Sequence, residues 1–384
     1  MIDFFGYQVD WAQILAGFIG VQILGLFWIR TRNFIANVWD SVFRFVPGVY
    51  RFHDLRHHFR KGGNVWDYRR TPRLTRAQRE RLPPVLTVMN FKGGVGKTTL
   101  VANLACSMAQ KFNLKVLVVD LDYQGSLSSL LQPVDIDGSR LNLVGDWLKS
   151  KHPNGIQAPL FTVGTVYPAL NIDLMTANYA LTEIENNQLQ KWLLHAEEGA
   201  IDLPNKFART LCTAKNKFRD YDIILMDAPP RLSVAGINAL VASSHVIVPV
   251  KLEPLATEPV ARLIDQLGQL QRQFGTKFRI LGSVANMTYR DDAPAQAERA
   301  YLNALSEALP EGAKIYRPFI PDKTFIGKPG STSVAYMLQG ADGRKAKAWF
   351  NRLAEQLLVD MGIEISSSDP SGEPDGERLI VAAE

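Results

Sequence analysis

The order of apolar and polar positions divides the 384-residue chain into stretches of different character. From Trp11 to Ile29 no residue is charged, and a run of that length just crosses about 30 Å of hydrocarbon as a helix. Asp3 and Asp10 precede it, and Arg30 and Arg32 follow it. The positive-inside rule then places the amino terminus outside and everything downstream in the cytoplasm. Residues 1–32 are therefore expected to form a single-pass anchor in the cytoplasmic membrane, with Trp11 and Trp28 at its interfaces. A cleavable signal peptide fits less well, because there is neither a basic leader nor a small-residue cleavage site. An interfacial helix and a buried core helix are the other readings, since Gly17, Gly20 and Gly25 dilute the hydrophobicity.

Phe34, Ile35, Val38, Trp39, Val42, Phe43 and Val46 recur at helical spacing, which predicts an amphipathic helix ended by Pro47 and Gly48. Beyond Pro83 and Pro84 the period changes. Short, continuous apolar runs (VLTVMNF, VLVVD, IILMD, HVIVPV, RILGSVANM) are separated by longer segments, one of which carries Val101, Leu104, Ala105 and Met108 at helical spacing. Strands joined by helices read this way. The Pro/Gly-rich stretch over 364–384 reads as a polar, disordered tail.

Composition sharpens this picture. At 46% hydrophobic the chain is not a disordered or low-complexity protein. The formal net charge of +5 points to an anionic partner, but its distribution matters more than its total. Arg51 to Arg81 holds ten Lys or Arg against Asp54, Asp67 and Glu80, a local net of +7. Residues 33–82 therefore read as the amphipathic helix plus a basic juxtamembrane linker attracted to anionic membrane lipid. DNA is the alternative partner, because phosphates of either kind suit Arg. Two cysteines, Cys106 and Cys212, exclude a disulfide framework and any four-thiolate metal site within the chain.

The first apolar strand runs straight into Lys92-Gly93-Gly94-Val95-Gly96-Lys97-Thr98-Thr99 and then a helical pattern. Strand, glycine turn and helix start make a phosphate cradle, in which backbone N–H groups converge on an anion. Lys97 would reach the β- and γ-phosphates, and Thr98 would ligate Mg2+. The general pattern wants Gly where Phe91 stands. That variant, K-G-G-V-G-K-T-T, is the deviant Walker A loop of the ParA/MinD family of ATPases, which this sequence closely resembles. DLDYQGSLS, starting at Asp120, is similar to the family's D-x-D-x-Q-G-x-x-S segment, and YDIILMDAPP, carrying Asp227, to its Walker B strand. Residues 173–185 and FIPDKTFIGKPGSTSVAYM, which holds Pro321, resemble later family segments in the same order.

The resemblance implies a doubly wound α/β domain with a mostly parallel sheet over residues 83–363, ATP and Mg2+ as cofactors and slow, switch-type ATP hydrolysis. It implies loop contacts from Gly93, Gly94, Val95, Gly96, Lys97, Thr98 and Thr99, with Asn286 and Pro321 near the base. The metal shell falls to Thr98, Asp120 and Asp227, and the attacking water to Asp122. Lys92 is expected to reach the nucleotide of a second copy in an ATP-sandwich homodimer, and an unidentified protein partner to stimulate hydrolysis. A bacterial tyrosine kinase fits less well, because no Tyr follows Tyr336. An iron-protein relative is disfavoured because Cys106 and Cys212 lie outside the cluster motifs. The leading expectation is a membrane-anchored, ATP-dependent dimerisation switch. A DNA-partitioning ATPase is the alternative.

Overall fold

The computed structural model describes residues 2–4, 7–9, 47–61, 65–68 and 73–365, the last range without 133–141, 151–160, 164–166, 168–169, 195–201, 213–216, 254–256, 290–295 and 327–333. Two compact units are distinguished, Met1–Arg70 with Leu193–Ala196, and Thr71–Trp192 with Glu197–Glu384. In the first, β1 (Ile2–Phe4) and β2 (Tyr7–Val9) pair antiparallel. Helix α1 (Pro47–Arg60) follows, and Tyr68 donates its hydroxyl to Asp54 at 3.1 Å. Pro47 therefore opens a described helix, where the sequence pattern placed a helix end. Its missing N–H costs nothing in a first turn. The apolar run Trp11–Ile29, the stripe from Phe34 to Val46 and the tail from Ser366 lie outside the described residues. Among the described residues no helix is long and apolar enough to cross a membrane.

The second unit begins with a short helix, α2 (Arg76–Arg79), closed by a capping box between Thr75 and Gln78. It then alternates strand and helix: β3 (Val85–Val88), α3 (Lys97–Lys111), β4 (Val116–Asp120), α4 (Ser126–Leu131), α5 (Leu143–Lys149), β5 (Phe161–Thr162), β6 (Ile172–Met175), α6 (Ala180–Leu194), α7 (Lys206–Cys212), β7 (Ile223–Asp227), α8 (Val234–Ala242), β8 (His245–Lys251), α9 (Thr257–Phe274), β9 (Arg279–Thr288), α10 (Gln296–Ala308), β10 (Lys314–Pro321) and α11 (Gly340–Asp360). The strands form one sheet in the order β10-β9-β8-β3-β7-β4-β6-β5. Every pair is parallel except β5 with β6, which gives seven parallel strands and an antiparallel edge. The expected doubly wound sheet is present.

The central strands are apolar throughout because both faces are covered. Val116 and Val118 of β4 face a cluster with Leu100, Leu104 and Met108 of α3 and Phe350, Leu353 and Leu357 of α11, while Leu117 and Val119 are buried on the opposite face. Helix α3 is consequently buried along almost its whole length. Its first turn is pinned at the carboxyl end of β3, where strand order departs in both directions. Ligands of open α/β sheets bind at such a switch point.

Candidate functional site

The loop between β3 and α3 is anchored before it turns. Asn90 donates its amide to Pro249 O at 2.8 Å and accepts the Lys92 N–H at 2.9 Å, tying the loop to β8. Gly94 and Gly96 take left-handed φ angles of 72° and 83°, which side chains with a Cβ adopt only with strain. Gly96 is also crowded, since a Cβ there would lie 2.9 Å from the Asn286 amide nitrogen. Around Gly93 and Gly94 the space is open. Lys97, the first residue of α3, is 7% exposed and donates from Nζ to Lys92 O at 3.2 Å. Burial pulls its ammonium below the ordinary lysine range, and the Asp227 and Asp122 carboxylates pull it back up.

Asp120 and Asp227 end neighbouring strands in direct register, and both are buried. Thr98 Oγ1 donates to Asp227 Oδ2 at 2.6 Å, while Asp227 Oδ1 is buried with no partner. Burial pushes both carboxyls well above the usual range, and the charge of Asp120 adds to the rise at Asp227. A buried carboxylate oxygen without a donor, beside a second carboxylate and a threonine hydroxyl, is the donor set of a hard divalent cation such as Mg2+. The residues present fit that ion. Asp120 is more committed than its position in sequence suggests. Its Oδ2 accepts the Ser128 N–H and hydroxyl at 2.8 and 2.7 Å, and its Oδ1 accepts the Asp122 N–H at 3.1 Å. Asp122 in turn accepts the Gln124 N–H at 3.1 Å, so the turn after β4 is built on these two carboxylates.

On the other side of the loop, β9 and β10 bring Asn286 and Ile320 into register. A pocket opens there between Gly96, Thr99, Asn286, Met287, Pro321 and Phe350. Asn286 donates to Val95 O at 3.0 Å and keeps a buried, unpartnered Oδ1, an acceptor suited to an exocyclic amine. The structure thus gathers Gly96, Lys97, Thr98 and Thr99 with Asp120, Asp122 and Asp227 on one side, and with Asn286 and Pro321 on the other. Lys92 stands apart. Its side chain is 43% exposed and its ammonium forms an ion pair with Glu253, which Lys251 also approaches at 3.6 Å. These cations hold the Glu253 carboxyl below its usual range.

The roles of several site residues were not legible beforehand. Glu253 and Asn90 carry no motif, and although Ser128 closes the D-x-D-x-Q-G-x-x-S segment and Glu185 ends the 173–185 segment, only tertiary partners reveal what these four side chains do. Glu185 is buried on α6, accepts the Ala235 N–H at 2.7 Å and faces Arg231 at 3.5 Å. It therefore braces the loop that follows Asp227.

Comparison with known proteins agrees with this geometry. An AAA domain family model matches residues 84–280, just over half of the chain. The chain is 29% identical over 276 residues to the chromosome-partitioning ATPase Soj of Thermus thermophilus, covering 71% of this chain and 95% of that protein. It is 30% identical over 280 residues to the Soj protein of Treponema pallidum, covering 72% and 98%. Among solved structures it resembles cobyrinic acid a,c-diamide synthase of Mycobacterium smegmatis with bound ATP analogue and magnesium, with a TM-score of 0.55 at 25% identity over 72% of this chain and 94% of that one. A complex of Cyanothece McdA with ATP shares the fold, with a TM-score of 0.54 at 16% identity over 74% and 99%. With its phosphate loop, its paired strand-end carboxylates and these relatives, the chain belongs to the AAA-domain family of ParA/MinD-like P-loop ATPases.

Proposed function

We propose that the chain is an ATP-dependent dimerisation switch, held at the cytoplasmic membrane by its amino-terminal segment, whose association state controls a protein partner. The observation that carries this reading is the division of labour between the two loop lysines. Lys97 is buried within the field of the Asp227 and Asp122 carboxyls, while Lys92 is exposed and merely parked on Glu253. A site that needed only its own lysine would leave the second without a task. Reaching a neighbouring copy supplies one.

The chain binds ATP with Mg2+ and hydrolyses it slowly. Gly93, Gly94, Val95 and Gly96 wrap the phosphates, Lys97 neutralises the β/γ bridge and Thr99 serves the α-phosphate. Thr98, Asp227 and Asp120 would hold Mg2+, which would further neutralise charge at the phosphates. Asp122 orients the attacking water. Asn286 and Pro321 receive the base, the Asn286 Oδ1 accepting from its amine. Binding energy then becomes association of two copies through Lys92, and hydrolysis releases them.

Light scattering of the solubilised full chain tests this. Wild type should double in mass with ATP. Lys92→Ala should bind nucleotide but stay monomeric, and Asp122→Ala should give a long-lived dimer. Normal hydrolysis by Asp122→Ala would overturn its role. For the anchor, removal of residues 1–32 should release the protein from carbonate-washed membranes.

A second reading, DNA partitioning, is favoured by the two Soj relatives and by basic residues such as Arg344 and Lys345 on α11. An ATP-dependent gel shift that salt abolishes, and that is lost on charge reversal at Arg69, Arg70 and Arg73, would support it.

A further inference from the structure

The sheet is parallel, so the starts of β3, β7 and β9 share one edge, opposite the nucleotide site. Segments that are far apart in sequence meet at that edge, and each brings arginine. Arg73, Arg79 and Arg81 precede β3, Arg219 precedes β7 and Arg272 closes the helix before β9. The segment is docked rather than loose. Leu74 is buried, Arg73 donates to Arg272 O at 3.3 Å and Arg79 donates to Gly275 O at 2.6 Å, both carbonyls at the end of α9. The thiol of Cys212 on α7 donates to Gln78 O at 2.9 Å, and it lies within the field of Arg79, Arg81, Arg209 and Arg219.

Arg76 pairs with Glu80, and Arg209 with Asp202. Among the described residues no carboxylate pairs with Arg73, Arg79, Arg81, Arg219 or Arg272. Like charges gathered without counter-ions cost stability, and an external polyanion relieves that cost. A guanidinium carries five N–H donors, so the single carbonyl bond that fixes Arg73 or Arg79 leaves others for phosphate oxygens. An ordinary solvated face balances both signs. This edge also carries Glu80, Asp220 and Asp222, but Glu80 is taken by Arg76, Asp222 accepts the Lys115 N–H, and the arginines outnumber the acids.

We infer that this arginine edge is a docking surface for the phosphate headgroups of anionic lipid, which holds the ATPase unit with its nucleotide edge facing away from the bilayer. Lipid is favoured over nucleic acid by continuity, because the patch is built from the end of the segment that joins the apolar run Trp11–Ile29 to the ATPase. In this the inference rests on the membrane reading above. The contact orients the subunit and leaves the Lys92 side of the site open to a second copy.

Vesicle flotation of the full chain tests it. Neutral phosphatidylcholine vesicles at about 0.5 M salt read the anchor alone, because exposed charge is then screened within a few ångströms. Adding about 30 mol% phosphatidylglycerol at low salt reads the patch. Wild type should gain at least tenfold in affinity from the anionic lipid. The triple variant Arg81→Glu/Arg219→Glu/Arg272→Glu, whose exposed side chains make no described structural bond, should lose that gain and keep its ATP binding, with a melting temperature no lower than that of wild type. No gain for wild type, or an equal gain for the variant, overturns the inference. So does a variant that loses binding to duplex DNA while its lipid response is unchanged. Failure of the anchor shows instead as no flotation on neutral vesicles, and the phosphatidylglycerol response remains readable.

Discussion

The two edges of one parallel sheet handle charge in opposite ways. At the carboxyl edge Lys97, Asp120 and Asp227 are all buried, Lys97 lies in the field of the Asp227 carboxyl, and every Asp120 oxygen is partnered. At the amino edge Arg73, Arg81, Arg219 and Arg272 are exposed and of one sign. The first arrangement is rigid and specific because desolvated charges tolerate no misplacement. The second is tolerant and non-specific because water and salt share its field. A switch needs both kinds of edge, one to discriminate a nucleotide and one to hold a surface without choosing among its molecules.

If that contrast is right, the largest single effect belongs to Lys97. Lys97→Ala removes the phosphate counter-charge and leaves Asp120 and Asp227 without a cation, so nucleotide affinity should fall by about 100-fold or more, the scale of breaking a buried pair. Isothermal titration with an ATP analogue measures it, and a loss under about fivefold would place Lys97 with the amino-edge arginines. Next comes Gly96→Ala. The left-handed φ of 83° and the contact with Asn286 should together cost about 1–3 kcal/mol in denaturant unfolding. Base discrimination should weaken as well, because Asn286 must move.

Asp227→Asn sharpens the comparison through pH. Burial and Asp120 raise the Asp227 carboxyl in the folded, metal-free protein, so its stabilising contribution is complete below an unfolded value of about 4 and is lost as pH rises through the folded value. Asparagine keeps an acceptor for Thr98 and does not ionise. In EDTA the variant should therefore match wild type near pH 4 and exceed it above neutrality by about 1–2 kcal/mol, while losing Mg2+-dependent hydrolysis. Wild-type stability that is flat across this range would mean that the pair shares its charge at no cost.

The same contrast explains what could be read in advance. The phosphate loop is eight consecutive residues, and a parallel strand delivers its last residue to the carboxyl edge by construction, so Lys97, Asp120 and Asp227 were visible as sequence. Asn286 and Pro321 were expected only through the family resemblance, because a strand-end Asn or Pro taken alone reads as a turn residue. The Lys92–Glu253 pair and the hold of Ser128 on Asp120 were not visible, since each depends on where one loop settles against another. Nor was the union of Arg219 and Arg272 with Arg73–Arg81, which sequence scatters over about two hundred residues. The basic segment announced its charge but not its docking, because a hydrogen bond from Arg79 to the end of α9 leaves no periodic trace.

The smallest effect has the unexpected sign. At the carboxyl edge every charge removed should weaken the protein or its site, but Arg219 has like charges near it and no described carboxylate partner. Arg219→Ala should therefore raise stability at low ionic strength by a few tenths of a kcal/mol, the scale of a surface charge contact. The gain should vanish at about 0.5 M salt, where the screening length falls to a few ångströms. Arg79→Ala supplies the control. It also relieves repulsion, but it forfeits the bond to Gly275 O and the packing of α2, so it should destabilise by about 1 kcal/mol at any salt. Thermal melts of the two variants across ionic strength separate an arginine that holds the fold from one that the fold tolerates. If both destabilise alike, the amino edge is internally neutralised and has no excess field to offer an anionic surface.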